Sequence, residues 1–168
     1  MLHYIYTRSF IGIITFMALA LAAWGALPAH VGARHWRWGN LVLVLLITAT
    51  ILYATLFSRA EGGTGLILAP FASLTAARQQ PELYREMLMN VFLFFPLGLT
   101  LSNALPRKWH RWLRIILTTL SAGIECAQYR YAPGMAEMDD VICNTLGAFL
   151  GAASLLAAHA IEKHKERA

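Results

Sequence analysis

The chain has 168 residues, of which 58% are hydrophobic and only 14% charged, against about 25% charged in an ordinary soluble domain. With a mean hydropathy of +0.52, that composition argues against a water-soluble globule and for an integral membrane protein. The net charge of +5 and pI near 9.6 do not imply a nucleic-acid partner, because the basic residues are dispersed among short loops.

A membrane-spanning helix needs about 20 mainly apolar residues, and the sequence offers five such runs, at 10–27, 41–57, 87–105, 113–128 and 141–161. The expected fold is therefore all-α. It is a polytopic membrane helix bundle of about five transmembrane helices forming one domain over residues 1–168, since no polar linker is long enough to separate two. The first run follows Arg8 and could be taken for a secretory signal, with small residues around Ala26 and Ala29 as a cleavage region. Its length and the membrane-like character of everything after it favour a span. His30, Arg34, His35, Trp36, Arg37 and Trp38 then form a short basic and aromatic loop of the kind a membrane interface selects.

The second run closes in Ser58 and Arg59, and Glu61, Gly62, Gly63, Thr64 and Gly65 form a turn. The glycines lack the Gly-Lys-Ser/Thr continuation of a phosphate-binding loop. The nine residues LILAPFASL at 66–74, broken by Pro70, are too few to cross a bilayer as a helix. A re-entrant or interfacial segment is expected there, between the second and third spans. Pro81 suits a helix start. The third run carries Asn90, Pro96 and Gly98, with Gly98 two turns on from Asn90 and on about the same face. Arg107, Lys108, Arg111 and Arg114, with Trp109 and Trp112, form a second basic interfacial loop. The fourth run contains Thr118, Thr119, Ser121 and Gly123, small residues that permit close helix packing.

Under the positive-inside rule, five spans put nine Lys and Arg on one side of the membrane and five on the other. The N-terminus is thereby placed outside and the C-terminus in the cytoplasm. The turn at Pro133 and Gly134 then faces outward.

Around that turn the polar residues concentrate. Glu125 and Gln128 lie one turn apart at the end of the fourth run; Asp140, Asn144, Gly147 and Gly151 follow at steps of four, three and four, a single helical stripe. A carboxylate at the centre of a bilayer helix costs roughly 2.5–3.5 kcal/mol even on the lenient insertion scale, so Glu125 requires a partner or water. With Arg59 and Asn90, these residues are the candidate polar cluster: Arg59, Asn90, Glu125, Gln128, Asp140 and Asn144. Glu125 and Asp140 could serve as acid and base, bind a cationic group, or pair with Arg59 to hold helices together; the residues leave the three open. Cys126 and Cys143 sit on the facing ends of neighbouring spans, where a disulfide is permitted and a pair of small apolar side chains is the commoner outcome. Six histidines without ligand spacing, and no catalytic or dinucleotide signature, leave no metal and no cofactor expected.

Taken in order, Ser58 and Arg59, then Pro70 and Phe71, then Asn90 with Pro96 and Gly98, then Glu125 and Gln128, and finally Asp140, Asn144, Gly147 and Gly151 resemble the VanZ-like family of small bacterial membrane proteins. The specificity lies in the ordered set, which extends from Ser58 to Gly151. The resemblance implies a multi-pass protein of the bacterial cytoplasmic membrane. The family takes its name from a member associated with low-level resistance to the glycopeptide teicoplanin. Many relatives carry an Arg just before the acidic turn, where this chain has Gly134 and Met135; Arg130 is the candidate to reach the same space. Two functions are carried forward. One is an accessory envelope protein that modulates glycopeptide susceptibility by binding, or altering access to, an envelope lipid or lipid-linked precursor at the outward-facing cluster. The other is a membrane-embedded hydrolase or transferase acting on such a lipid, with Glu125 and Asp140 as acid and base.

Overall fold

Apolar runs become helices here because charged and turn-forming residues bound them on both sides. A computed structural model describes residues 33–57, 65–131, 135–165 and 167. Helix α1 spans Ala33–Leu52 and continues into a π-helical turn, Tyr53–Phe57. Strand β1, Gly65–Ile67, leads to the short helix α2, Ala72–Ala76. Helix α3, Glu82–Ala104, is followed by a 3-10 turn at Arg107–Trp109 and by α4, His110–Tyr131. Strand β2, Met135–Glu137, runs directly into α5, Met138–Lys165.

The helical character expected from the sequence holds. The last three helices are longer than the apolar runs that mark them, because they extend into polar ends: α3 opens on Glu82 and α5 carries Asp139 and Asp140 in its first turn, where negative charge meets the positive end of the helix dipole. Among the described residues, α3 is the one helix long and apolar enough to cross a membrane by length and composition, and Trp38–Leu52 is a shorter apolar helix. The run at 10–27, with its alternative as a cleaved signal, the glycines at 62–63 and the Pro133 turn lie outside the described residues.

Segment 66–74 is part strand, part turn and part short helix. It contributes to β1, which pairs in parallel with β2 in the register Gly65↔Met135, Leu66↔Ala136 and Ile67↔Glu137. Among the described residues, this two-stranded sheet is the departure from an all-helical fold. It ties the segment after α1 to the start of α5.

The apolar core collects Ile47 and Ile51 from α1, Leu93, Phe94 and Leu97 from α3, Leu113, Leu117 and Ile124 from α4, and Ala148 from α5. Within it, α3 and α5 touch through their backbones. A Cβ placed on Gly147 would strike the carbonyl of Val91; one on Gly151, the carbonyl of Phe95; one on Gly98, the carbonyl of Ala148. Because the Gly147–Val91 and Gly151–Phe95 contacts each advance by four residues along both helices, the two helices run parallel, with their N-terminal ends side by side. Backbones this close permit Cα–H···O contacts in addition to dispersion. The Gly147 and Gly151 pair, a generic small-residue spacing in the sequence, is thus a helix-packing face. Pro96, buried inside α3, removes one backbone donor without ending the helix. Nearby, Thr100 Oγ1 donates to the Pro96 carbonyl at 2.8 Å and Ser102 Oγ to the Gly98 carbonyl at 2.7 Å.

The contact partners of these glycines are backbone atoms, which cannot rotate away. Gly147→Ala is expected to destabilise the protein by about 1–3 kcal/mol, the usual cost of overpacking. Gly123, whose added Cβ meets nothing within 4 Å, is the control: Gly123→Ala should be neutral or stabilising by up to about 1 kcal/mol. Thermal melting of the two variants in detergent reads the difference directly.

Candidate functional site

Four chain ends meet at one end of the helices: the N-terminal turns of α3 and α5, the C-terminal turns of α4 and the π-helical end of α1. Each brings polar groups, most of them buried. Glu125 is 6% exposed, Gln128 1%, Asp140 9% and Asn144 2%; Asn90 is half-buried. An unpaired polar group in such surroundings costs on the order of 1–3 kcal/mol. The arrangement of partners is therefore informative.

Asn90 Nδ2 on α3 donates to Asp140 Oδ1 on α5 at 2.6 Å. Asn144, one turn on from Asp140, donates through Nδ2 to Ser121 Oγ on α4 at 3.0 Å. Ser121, Glu125 and Gln128 follow one another on a single face of α4. Gln128 Nε2 reaches across to the backbone carbonyl of Thr55 at 3.0 Å. That carbonyl belongs to the π-helical turn, an irregularity common at functional positions. Glu125 Oε2 accepts from the backbone N–H of Glu137 at 3.3 Å, which joins α4 to β2. Gln128 Oε1 and Asn144 Oδ1 are buried and accept no hydrogen bond.

A second layer lies over this cluster. Asp139 accepts from two backbone N–H groups of the 65–76 segment, that of Phe71 at 2.5 Å to Oδ1 and that of Ser73 at 2.7 Å to Oδ2. It thereby caps α2, whose own N-cap residue, Phe71, supplies no side-chain bond. Phe71 sits at φ 63, a left-handed conformation that costs a residue other than glycine of order 1–3 kcal/mol. The Asp139 carboxylate and the strand pairing hold it there. Ser73 Oγ completes the staple by donating to Glu137 Oε2 at 2.5 Å.

Of the residues singled out in the sequence, Asn90 and Asp140 meet directly, while Asn144, Glu125 and Gln128 line the same end of the helices. Arg59 lies outside the described residues. Arg130 does not enter the buried cluster: it is exposed, with its guanidinium 5.3 Å from the centre of the Tyr131 ring. Cys126 is exposed, Cys143 is buried, and both are free thiols, so the disulfide that their positions permitted is absent. Among the described residues no group of three or more His, Cys, Asp or Glu is arranged to hold a metal ion. Ser121, Thr55, Ser73, Glu137 and Asp139 join the site in addition to the residues expected from the sequence. Ser121 was legible as the residue one turn before Glu125 on the same face; Thr55 and Ser73 engage through contacts more than 60 residues apart in the chain, with no local signal.

Asp139→Ala should free two backbone donors and release the 65–76 segment while the helices stay folded. Hydrogen bonds to charged groups are worth about 1.5–3 kcal/mol, so exchange at the amides of Phe71 and Ser73 is expected to accelerate about tenfold or more in hydrogen–deuterium exchange.

The VanZ/LLP1 family model matches residues 40–159, which includes the π-helical turn, the paired strands and every residue of the cluster. A curated relative, "Protein VanZ" of Enterococcus faecium, is 37% identical over 68 residues, covering 40% of this chain and 42% of the relative. The chain thus matches less than half the length of that protein. No solved structure matches. With the family model extending over well more than half of its length, the chain belongs to the VanZ/LLP1 family.

Proposed function

We propose that this VanZ/LLP1 protein is a multi-pass protein of the bacterial cytoplasmic membrane whose polar cluster binds the headgroup of an envelope lipid or lipid-linked precursor. In this reading the N-terminus lies outside, the C-terminus lies in the cytoplasm and the cluster faces the outer leaflet. Modulation of glycopeptide susceptibility, teicoplanin included, follows as masking or withholding of such a precursor.

The observation that carries the reading is the combination of a buried set of hydrogen-bonding groups with two amide oxygens, Gln128 Oε1 and Asn144 Oδ1, that accept nothing. Each of these oxygens can accept a hydrogen bond from a donor on a ligand headgroup. Support for the membrane setting comes from the outer faces of the helices. Leu45 and Leu46 on α1, Leu88 and Phe92 on α3, Ile115 and Ile116 on α4, and Leu146, Phe149 and Leu150 on α5 are all exposed. Water-soluble monomers rarely present contiguous apolar surface of more than a few hundred Å². Support for the orientation comes from α4, which carries Arg111 and Arg114 in its first turns and Glu125 and Gln128 toward its end; the basic end is the cytoplasmic one by the positive-inside rule.

Purified protein should retain lipid extracted from the envelope, and Glu125→Gln or Asp140→Asn should reduce that retention about tenfold without lowering the melting temperature by more than a few degrees. Retention unchanged in both variants would count against the cluster as the binding site. The embedded-enzyme reading is tested by the same variants: turnover of labelled envelope lipid in proteoliposomes, abolished by both substitutions, would replace binding with hydrolysis or transfer.

A further inference from the structure

Between them, α4 and α5 leave a groove of about 520 Å³ lined by none of the polar-cluster residues, within the size range of small-molecule sites. Its lining is almost wholly apolar. Leu113, Leu117 and Ala148, all buried, contribute core residues to the lining, and Ile142 and Phe149 contribute to it from α5. The one charged residue that lines it is Arg114, which is exposed. Along α5 the lining extends from Met138 to Ala152, about 21 Å at 1.5 Å per residue. One leaflet of a bilayer has a hydrocarbon depth of about 15 Å, half of the roughly 30 Å core.

We propose that this groove binds one fatty acyl chain of an anionic glycerophospholipid of the cytoplasmic leaflet, with the lipid phosphate held by Arg114. The inference rests on the membrane reading above and on a different part of the molecule. An almost wholly apolar slot, lined on α5 over a length greater than a leaflet is deep and bordered by one exposed arginine, matches an acyl chain ending in a phosphate at its rim. Arginine is suited to that contact because its planar fork bonds phosphate oxygens in pairs. Its surroundings have the same character. Lys108 and Arg111 are exposed on the same end of the hairpin, and Arg111 lies 5.6 Å from the centre of the exposed Trp112 ring, a basic and aromatic rim of the kind found at headgroup level. A zwitterionic lipid would fill the slot equally well but would gain less from Arg114. The charge therefore supplies selectivity and the apolar lining supplies affinity.

The test is native mass spectrometry of the full chain in detergent, with phosphatidylglycerol and phosphatidylcholine of identical chains offered together. One phosphatidylglycerol should be retained with about a fivefold preference, the equivalent of one basic residue at a membrane surface. Arg114→Gln should abolish the preference, Arg114→Lys should restore part of it, and Ile142→Trp, which fills the slot, should remove the bound lipid. Gly123→Ala, whose added Cβ meets nothing within 4 Å and which lies outside both the groove lining and the polar cluster, should leave the preference intact. Equal retention of both lipids by the unaltered protein, or a preference that survives Arg114→Gln, would overturn the proposal; because Arg114 is exposed, that variant leaves the buried side chains in place. Sodium carbonate extraction of the unaltered protein from membranes distinguishes the two readings: a chain released from the membrane overturns both, whereas an integral chain without lipid preference overturns this one alone.

Discussion

The contact on which the rest of the structure depends is the approach of α3 to α5 at Gly98, Gly147 and Gly151, where carbonyl oxygens of one helix occupy the space a side chain would need on the other. Helices that meet through side chains stand 8–10 Å apart; at these glycines no side chain intervenes. The two N-terminal ends are consequently close enough for one hydrogen bond between short side chains, Asn90 to Asp140. Small residues favour such packing in lipid, where apolar side chains gain nothing by leaving their neighbours for one another. The polar cluster sits at the end of this seam and inherits its geometry from it.

Polar groups at that end are arranged in two layers with different tasks. The inner layer, Asn90, Ser121, Glu125, Gln128, Asp140 and Asn144, is drawn from three helices and reaches the fourth through the Thr55 carbonyl. The outer layer is a staple: paired strands, the Asp139 carboxylate on two backbone donors and the Ser73 hydroxyl on Glu137. Adjacent aspartates in one helical turn thus have separate roles. Asp140 faces α3, while Asp139 holds the 65–76 segment, with Leu66, Leu68, Phe71 and Leu74 on its outer surface, across the start of α5. In the proposed orientation those side chains lie at the outer interface beside the site.

The helical part of this architecture was legible because its signal is periodic. Asp140, Asn144, Gly147 and Gly151 fall on one stripe of α5 and all four are buried, as steps of four, three and four require. Helix ends were less legible, since an apolar count stops where a helix runs on into Glu82 or Asp139. The strands were not legible at all. Each has three residues, too few for alternation to register, and each depends on a partner 70 positions away. The same holds for Gln128: its spacing from Glu125 placed it on the right face, but nothing local reveals that it bonds the Thr55 carbonyl.

In the proposed function, the buried amide and carboxylate groups beside the seam receive a lipid headgroup as well as holding helices together. Electron cryomicroscopy of the protein in nanodiscs made from native envelope lipid addresses it most directly. Headgroup density is expected within hydrogen-bonding distance of Gln128 Oε1 or Asn144 Oδ1, continuous with acyl density on the apolar helix faces. A closed cluster whose amide oxygens are satisfied by protein groups, with lipid confined to the helix exteriors, would contradict it.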